Sequence, residues 1–208
     1  MRAELRGSER FELGAARKAI VTTLLDTVVE KERENISSLY ESHDAKAFAK
    51  AVQMVRNASE LVVVGTRSTA SLAYHLWFAL TKLGMRATRV ASVSSETYDH
   101  VSRLDAGACV ALIGFPRYLQ EHVRLLAFAK SRKLATLTIT DSAFSPLQGD
   151  VSLYAPAESA SFVAFHCAPL ILLNALVHEV SVIEKSKTLA ALNRFETVAE
   201  TQSYFVKE

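Results

Sequence analysis

Four short, unbroken apolar runs constrain this chain more than any other feature: LVVVG at 61–65, CVALIG at 109–114, ATLTIT at 135–140 and VSLYA at 151–155. Runs of this length, bounded by turn residues, suit strands that are buried on both faces of a sheet. Between them lie stretches with helical spacing. Ala73, Leu76, Trp77, Leu80 and Leu83 share one face of the first, which Gly84 closes as a C-cap, and Leu119, Val123 and Leu126 share one face of the next. A weaker strand over 86–93 brings the number to five. Strand and helix in alternation predict an α/β fold: a doubly wound, five-stranded parallel sheet of the flavodoxin-like or Rossmann-like kind, with right-handed crossovers.

Upstream of the first run the period is helical throughout. Leu24, Leu25, Val28, Val29, Ile36 and Leu39 mark a helix over about 16–39, and Ala45, Phe48, Ala49, Val52 and Val55 mark a second one that starts after Asp44, a good N-cap. The expected organisation is a linker helix over 1–40, the sheet domain over 41–200 and a short tail over 201–208.

Half of the 208 residues are apolar, enough for one continuous core. Lys and Arg number 24 against 22 for Asp and Glu, and a net charge of +2 supplies no strong field to draw in DNA or a membrane surface. Cys109 and Cys167 both lie in apolar runs without paired spacing, so both are read as core residues of a protein in a reducing compartment. The first residues lack the apolar core of a signal peptide. The uncharged stretch 159–177 contains His166, Pro169 and Asn174 and is read as a buried helix rather than a membrane span. The expectation is a cytoplasmic protein with no membrane partner.

In a doubly wound sheet, ligands bind beyond the carboxyl ends of the strands, so the residues after each run carry the chemistry. The first run leads through Gly65, Thr66, Arg67, Ser68 and Thr69 into a helix. Hydroxyls and free N–H groups at the positive end of a helix dipole can cradle a phosphate, and the planar fork of Arg67 matches two phosphate oxygens. The same Ser and Thr also suit ordinary capping. The third strand ends in Gly114, Phe115, Pro116, Arg117 and Tyr118, which puts a second arginine and a phenol on the same rim, or a solvated arginine beside a plain proline turn. After the fourth strand, Asp141 and Ser142 can accept a sugar hydroxyl or cap a turn. After the fifth, Glu158 can take ligand hydroxyls, shuttle a proton between adjacent sugar carbons, or serve only as a dipole partner of the following helix. His75, His166 and His178 have no metal-ligand spacing with a carboxylate nearby and are read as structural. Trp77 and Phe78 are read as core. The first loop has one glycine where a dinucleotide fingerprint needs three, so no metal and no cofactor is expected.

These loops resemble the sugar isomerase (SIS) domain family, in particular the effector domain of RpiR-type bacterial transcriptional regulators. The resemblance spans about 37–199 and rests on LVVVGTRSTASLAYHLWFALTKLG, on the segment from VALIGFPRYLQEH to LYAPAES, and on the helix containing LILLNALV. In the family the first loop usually reads G-x-G-x-S, so Thr69 stands at the phosphate-binding hydroxyl and Arg67 replaces the second glycine. The second loop usually reads S-x-S-G-x-T, and here Gly114, Pro116, Arg117 and Leu119 occupy those places, exchanging hydroxyls for an arginine. Glu158 matches the glutamate that SIS isomerases use for proton transfer. The resemblance implies a domain that binds a phosphorylated sugar or related small anionic metabolite and assembles as a homodimer or tetramer. DNA contact would come only through a helix-turn-helix domain not present in this chain. An aldose–ketose isomerase with Glu158 as catalytic base is the competing expectation.

Overall fold

The computed structural model describes residues 12, 23–159 and 161–206. The predicted helix start near residue 16, and with it most of the 1–40 segment, lies outside the described residues. Helix α1 spans Leu24–Ser42 and opens on Thr23, whose hydroxyl oxygen accepts the Asp26 N–H at 3.1 Å. Helix α2, Ala45–Asn57, opens as expected on Asp44, whose carboxylate accepts the N–H groups of Lys46 and Ala47 at 2.8 and 3.0 Å. Then come β1 (Leu61–Val64), a 3-10 turn (Arg67–Thr69), α3 (Ala70–Lys82), β2 (Ala87–Val90), α4 (Ser95–Ser102) and β3 (Cys109–Ile113). The chain continues through α5 (Gln120–Ser131), β4 (Ala135–Thr140), β5 (Val151–Tyr154), α6 (Cys167–Ile183) and α7 (Lys185–Thr201).

All strand pairs are parallel, in the order β2-β1-β3-β4-β5. The five-stranded, doubly wound sheet is therefore the expected one, and its winding reverses between β1 and β3. Side chains alternate across it with the period of two that a strand imposes. Leu61, Val63, Ala111 and Ile113 join Val52, Val55, Leu76, Leu80, Leu173 and Leu176 beneath α2, α3 and α6. Val62, Val64, Val110 and Leu112 face the other way, onto Leu125, Leu126 and Ala129 of α5. On that second side β4 presents Thr136, Thr138 and Thr140, and the three buried hydroxyls pair with Asp150, Ser152 and Ser145 at 2.8 Å each. A hydroxyl so paired can replace an aliphatic side chain without leaving an orphaned donor.

Several expectations need correction. The buried face of α5 is His122, Leu125, Leu126 and Ala129; Leu119 is its N-cap and Val123 lies on the flank. Cys109 is buried, and burial pushes its thiol up to about 12, but Cys167 is exposed at the first position of α6. Phe78 is half-exposed, whereas Trp77 tucks in and donates its indole N–H to the Ala87 carbonyl at 3.1 Å. Helix α6 starts at Cys167, well after the end of β5, so Glu158 is not at its N-terminus and cannot serve its dipole. Among the described residues no single helix is long and apolar enough to cross a membrane. Cys167–Ile183 and Lys185–Thr201 would pass only as a pair, and they turn by 102°.

Candidate ligand crevice

Beyond the carboxyl ends of β1 and β3, where the winding reverses, the loops part and leave a cavity of about 430 Å³. A reversal point of this kind is where an open α/β sheet leaves room for a ligand. One rim is the β1–α3 loop, Thr66 to Thr69; the other is the β3–α5 loop, Gly114 to Leu119, with His122 one turn further on. Phe162, Val163 and Ala164, from the connection between β5 and α6, form an apolar wall.

Local backbone geometry explains why the rims stand so close. Gly65 is buried at the point where β1 turns, and a Cβ there would lie 2.7 Å from the Thr69 carbonyl oxygen and 2.8 Å from the Ala73 Cβ. Gly114 is equally confined, since its Cβ would meet Leu147 Cδ1 at 2.4 Å. Arg67 has φ 52° and Arg117 has φ 73°, both in the left-handed region that a side chain ordinarily avoids. Each holds a place where the resembled family has glycine, so the backbone shape persists while the residue that adopts it freely has gone. That conformation costs about 1–2 kcal/mol for a non-glycine residue, which the surrounding loop must offset. Both side chains are exposed, and neither has a carboxylate partner within salt-bridge distance among the described residues.

The hydroxyls are used differently from expectation. Thr69 lines the cavity but is buried, and its hydroxyl donates to the Thr66 carbonyl at 2.9 Å, which fastens the loop. The Thr66 hydroxyl lies 3.0 Å from His122 Nε2, which joins the two rims from below. His122 is buried, and burial lowers its pKa, so the neutral ring is favoured. Only Ser68 presents an exposed hydroxyl on the first rim. Tyr118 donates its phenol O–H to Asp141; burial first, and that bond second, raise its pKa. Asp141 also accepts from Thr140 at 3.1 Å and from Ser142 at 3.3 Å. Asp141 and Ser142 thus brace the rim from behind and do not line the cavity. Glu158 does not line it either. Its carboxylate pairs with Lys31 of α1 at 2.9 Å, and although burial pulls the Lys31 ammonium down, hydrogen bonds to Glu34 and Glu158 raise it overall.

Sequence reasoning overlooked His122, a polar residue at a position of α5 with buried spacing. It also overlooked the apolar wall, because no periodic element carries it. Among the described residues, no group of three or more His, Cys, Asp or Glu side chains could hold a metal ion.

A second depression, about 440 Å³, lies at the amino ends of the strands between α2, the α3–β2 turn and α7. Size does not separate the two. The carboxyl-end cavity is favoured as the site because it lies at the winding reversal and its two arginines have no salt bridge among the described residues.

The sequence from 54 to 179, more than half of the chain, matches the model of the SIS domain. The chain belongs to the SIS domain family. Comparison with curated proteins gives no match. Among solved structures, the SIS chain is similar to the sugar isomerase domain of an RpiR transcription factor from Sphaerobacter thermophilus, with 26% identity and a TM-score of 0.81 over 84% of this chain and 98% of that one. It is similar in fold to the Vibrio vulnificus NanR protein complexed with ManNAc-6P, at 16% identity and a TM-score of 0.75, covering 90% and 73% of the two chains. A third similar fold is E. coli CFT073 c3406 in complex with a sugar phosphate, at 16% identity and a TM-score of 0.69, covering 83% and 95%. Against the SIS loop pattern, this crevice keeps the first glycine at Gly65 and substitutes arginine at both remaining glycine places, Arg67 and Arg117.

Proposed function

We propose that this SIS domain is the sensing domain of an RpiR-type transcriptional regulator, and that its crevice holds a phosphorylated sugar or related small anionic metabolite. The observation that carries this reading is the pair of guanidiniums, Arg67 and Arg117, on facing rims of the crevice at the winding reversal, neither in a salt bridge among the described residues. A guanidinium offers two parallel N–H donors to a phosphate, and beside an apolar wall each such contact is stronger than in open water. Ser68 and the N–H groups of the 3-10 turn would complete the anion's shell. Two of the similar structures hold sugar phosphates, ManNAc-6P in the NanR protein and another in c3406, which supports the ligand class.

Glu158 would be the base of an isomerase. Its pairing with Lys31, and its place outside the cavity lining, weigh against that reading. The exposed apolar residues Ile171, Val182 and Ile183 of α6 and Leu189 of α7 support assembly as a homodimer or tetramer. In this reading the protein works in the cytoplasm, with DNA reached through a helix-turn-helix domain outside this chain and with α1 as the linker.

A thermal-shift series tests the proposal, because a ligand that binds only the folded state raises Tm by mass action. Phosphorylated sugars, ManNAc-6P among them, are expected to raise Tm where their unphosphorylated counterparts do not. Equal shifts for both forms, or none for any, would overturn the phosphate-directed reading. Deuterium uptake at a sugar carbon next to the carbonyl, lost in Glu158→Gln, would favour the isomerase instead.

A further inference from the structure

Helix α1 reaches the crevice wall through three polar contacts, all from one helical face. Asn35, which is 2% exposed, donates from Nδ2 to the backbone carbonyl of Glu158 at 2.8 Å. Lys31 Nζ sits 2.9 Å from the Glu158 carboxylate. Glu32 accepts the N–H of Cys167 at 3.2 Å. Positions 31 and 35 are one turn apart, with 32 beside them, and Leu39 continues the stripe into the core. The two anchored points, Glu158 and Cys167, flank the residues that wall the crevice, Phe162, Val163 and Ala164. Phe115, from the facing rim, has its ring centroid 5.9 Å from that of His166, next to the second anchor.

We infer that α1 is the fastening of the crevice wall, with Lys31, Glu32 and Asn35 as positioning residues whose hold on Glu158 and Cys167 links the state of the ligand site to the linker helix. The inference rests on the crevice being the ligand site. Three observations give it content beyond a packing contact.

First, α1 has a small apolar hold on the core. Leu24, Leu25, Val28 and Val29 are exposed, and of its apolar side chains only Leu39 is fully buried, with Ile36 packed partly against the core. A helix anchored this way opens at low cost compared with the sheet. Second, the junction is incompletely satisfied: Glu32 Oε2 and His166 Nε2 are buried without a hydrogen-bond partner among the described residues. An orphaned buried polar group costs stability, so this junction is held less firmly than a fully paired one. Third, the carboxylate held by Lys31 belongs to Glu158, which stands at the head of the segment that leads into this wall. A ligand that draws Glu158 into the crevice takes it from Lys31, so occupancy and release of α1 are coupled, and the coupling acts equally in both directions.

Hydrogen exchange read by mass spectrometry on the full chain tests this. In Lys31→Met and in Asn35→Ala, peptides covering 161–167 are expected to exchange at least threefold faster than in wild type, with the β1, β3 and β4 peptides unchanged. Lys31→Arg is expected to retain wild-type exchange. Unchanged 161–167 peptides in both Lys31→Met and Asn35→Ala would overturn the inference. With ManNAc-6P as probe, exchange across 24–42 is expected to rise at least twofold, and a probe that raises Tm while leaving 24–42 unmoved would overturn the coupling. A probe that fails to raise Tm counts against the sugar-phosphate reading alone, and the variants without ligand then decide the role of α1.

Discussion

The two ends of the sheet carry depressions of nearly equal size, about 440 Å³ at the amino ends and about 430 Å³ at the carboxyl ends, and they use their cations in opposite ways. At the amino end Arg56 and Lys187 both pair with Glu184, and Arg86 lies 3.7 Å from Glu60. The first two cations hold the Glu184 carboxyl below the usual carboxylate range, Lys187 more than Arg56. Of that group only Arg194 has no salt bridge among the described residues. At the carboxyl end Arg67 and Arg117 have none among the described residues, and both sit on backbone that glycine would adopt more readily. The carboxylates near them are engaged elsewhere, Asp141 by Tyr118 and Glu158 by Lys31. Volume therefore carries little information about function here. Whether a cation is already committed, and whether its backbone is strained to present it, carries more.

Substitutions at the two ends sharpen the contrast. The largest effect is expected for Gly65→Ala, because the added methyl meets the Thr69 carbonyl oxygen at 2.7 Å, backbone that cannot swing aside. Overpacking of this kind costs roughly 1–3 kcal/mol, and Tm falls by about 2–4 °C for each kcal/mol in a chain of this size. An unchanged Tm would show that the first rim is looser than described.

Arg67→Gly and Arg117→Gly come next, and they should separate stability from binding. Each relieves left-handed strain, so Tm is expected to hold or to rise by an amount equivalent to up to about 1 kcal/mol, while phosphosugar affinity falls about tenfold, or ~1.4 kcal/mol. Arg194→Ala at the other end is expected to leave that affinity unchanged. Loss of affinity in Arg194→Ala, with none in the crevice variants, would transfer the site to the amino end.

The pH dependence should reside at the carboxyl end as well. Burial lowers the pKa of His122 and of His166 below the ordinary value near 6.5. The unfolded chain then binds more protons than the folded one, so these groups' contribution is fully present above about pH 6.5 and is lost as pH falls through the folded-state values. Melting curves between pH 8 and pH 5 are expected to show Tm dropping below about pH 6.5, with a shallower drop in His122→Gln. The smallest effect is expected for Arg86→Ala. Its long, exposed ion pair is worth less than about 0.5 kcal/mol, and Tm should move by no more than a degree or two.

The sheet was legible in the sequence because its central strands β1, β3 and β4 are buried on both faces, which leaves unbroken runs such as LVVVG that no surface element would carry, whereas the edge strand β2 is half-exposed and gave the weaker signal. Asp44 announced α2 by the same capping chemistry that the structure shows. Helix α4 was not legible: its eight residues, SETYDHVS, have a weak apolar face, and the Ser94–Thr97 capping box that starts it is a short signal. Of the site, the rim loops were legible and their detailed use was not. Residue type does not show that Thr69 commits its hydroxyl hydrogen to the Thr66 carbonyl, and nothing in residue type alone assigns a positive φ to an arginine. Glu158 was displaced from the helix N-terminus where it was expected, since the loop between β5 and α6 has no periodicity to count.

The most direct test of the ligand site is a calorimetric titration of wild type and of the Arg67→Gly/Arg117→Gly double variant, using the phosphosugar that gives the largest thermal shift and its unphosphorylated form. The expected result is binding of the phosphorylated sugar by wild type only, with affinity at least tenfold weaker in the double variant while Tm is retained. Equal affinity in the two proteins, or equal affinity for the two forms of the sugar, would contradict an anion held by Arg67 and Arg117.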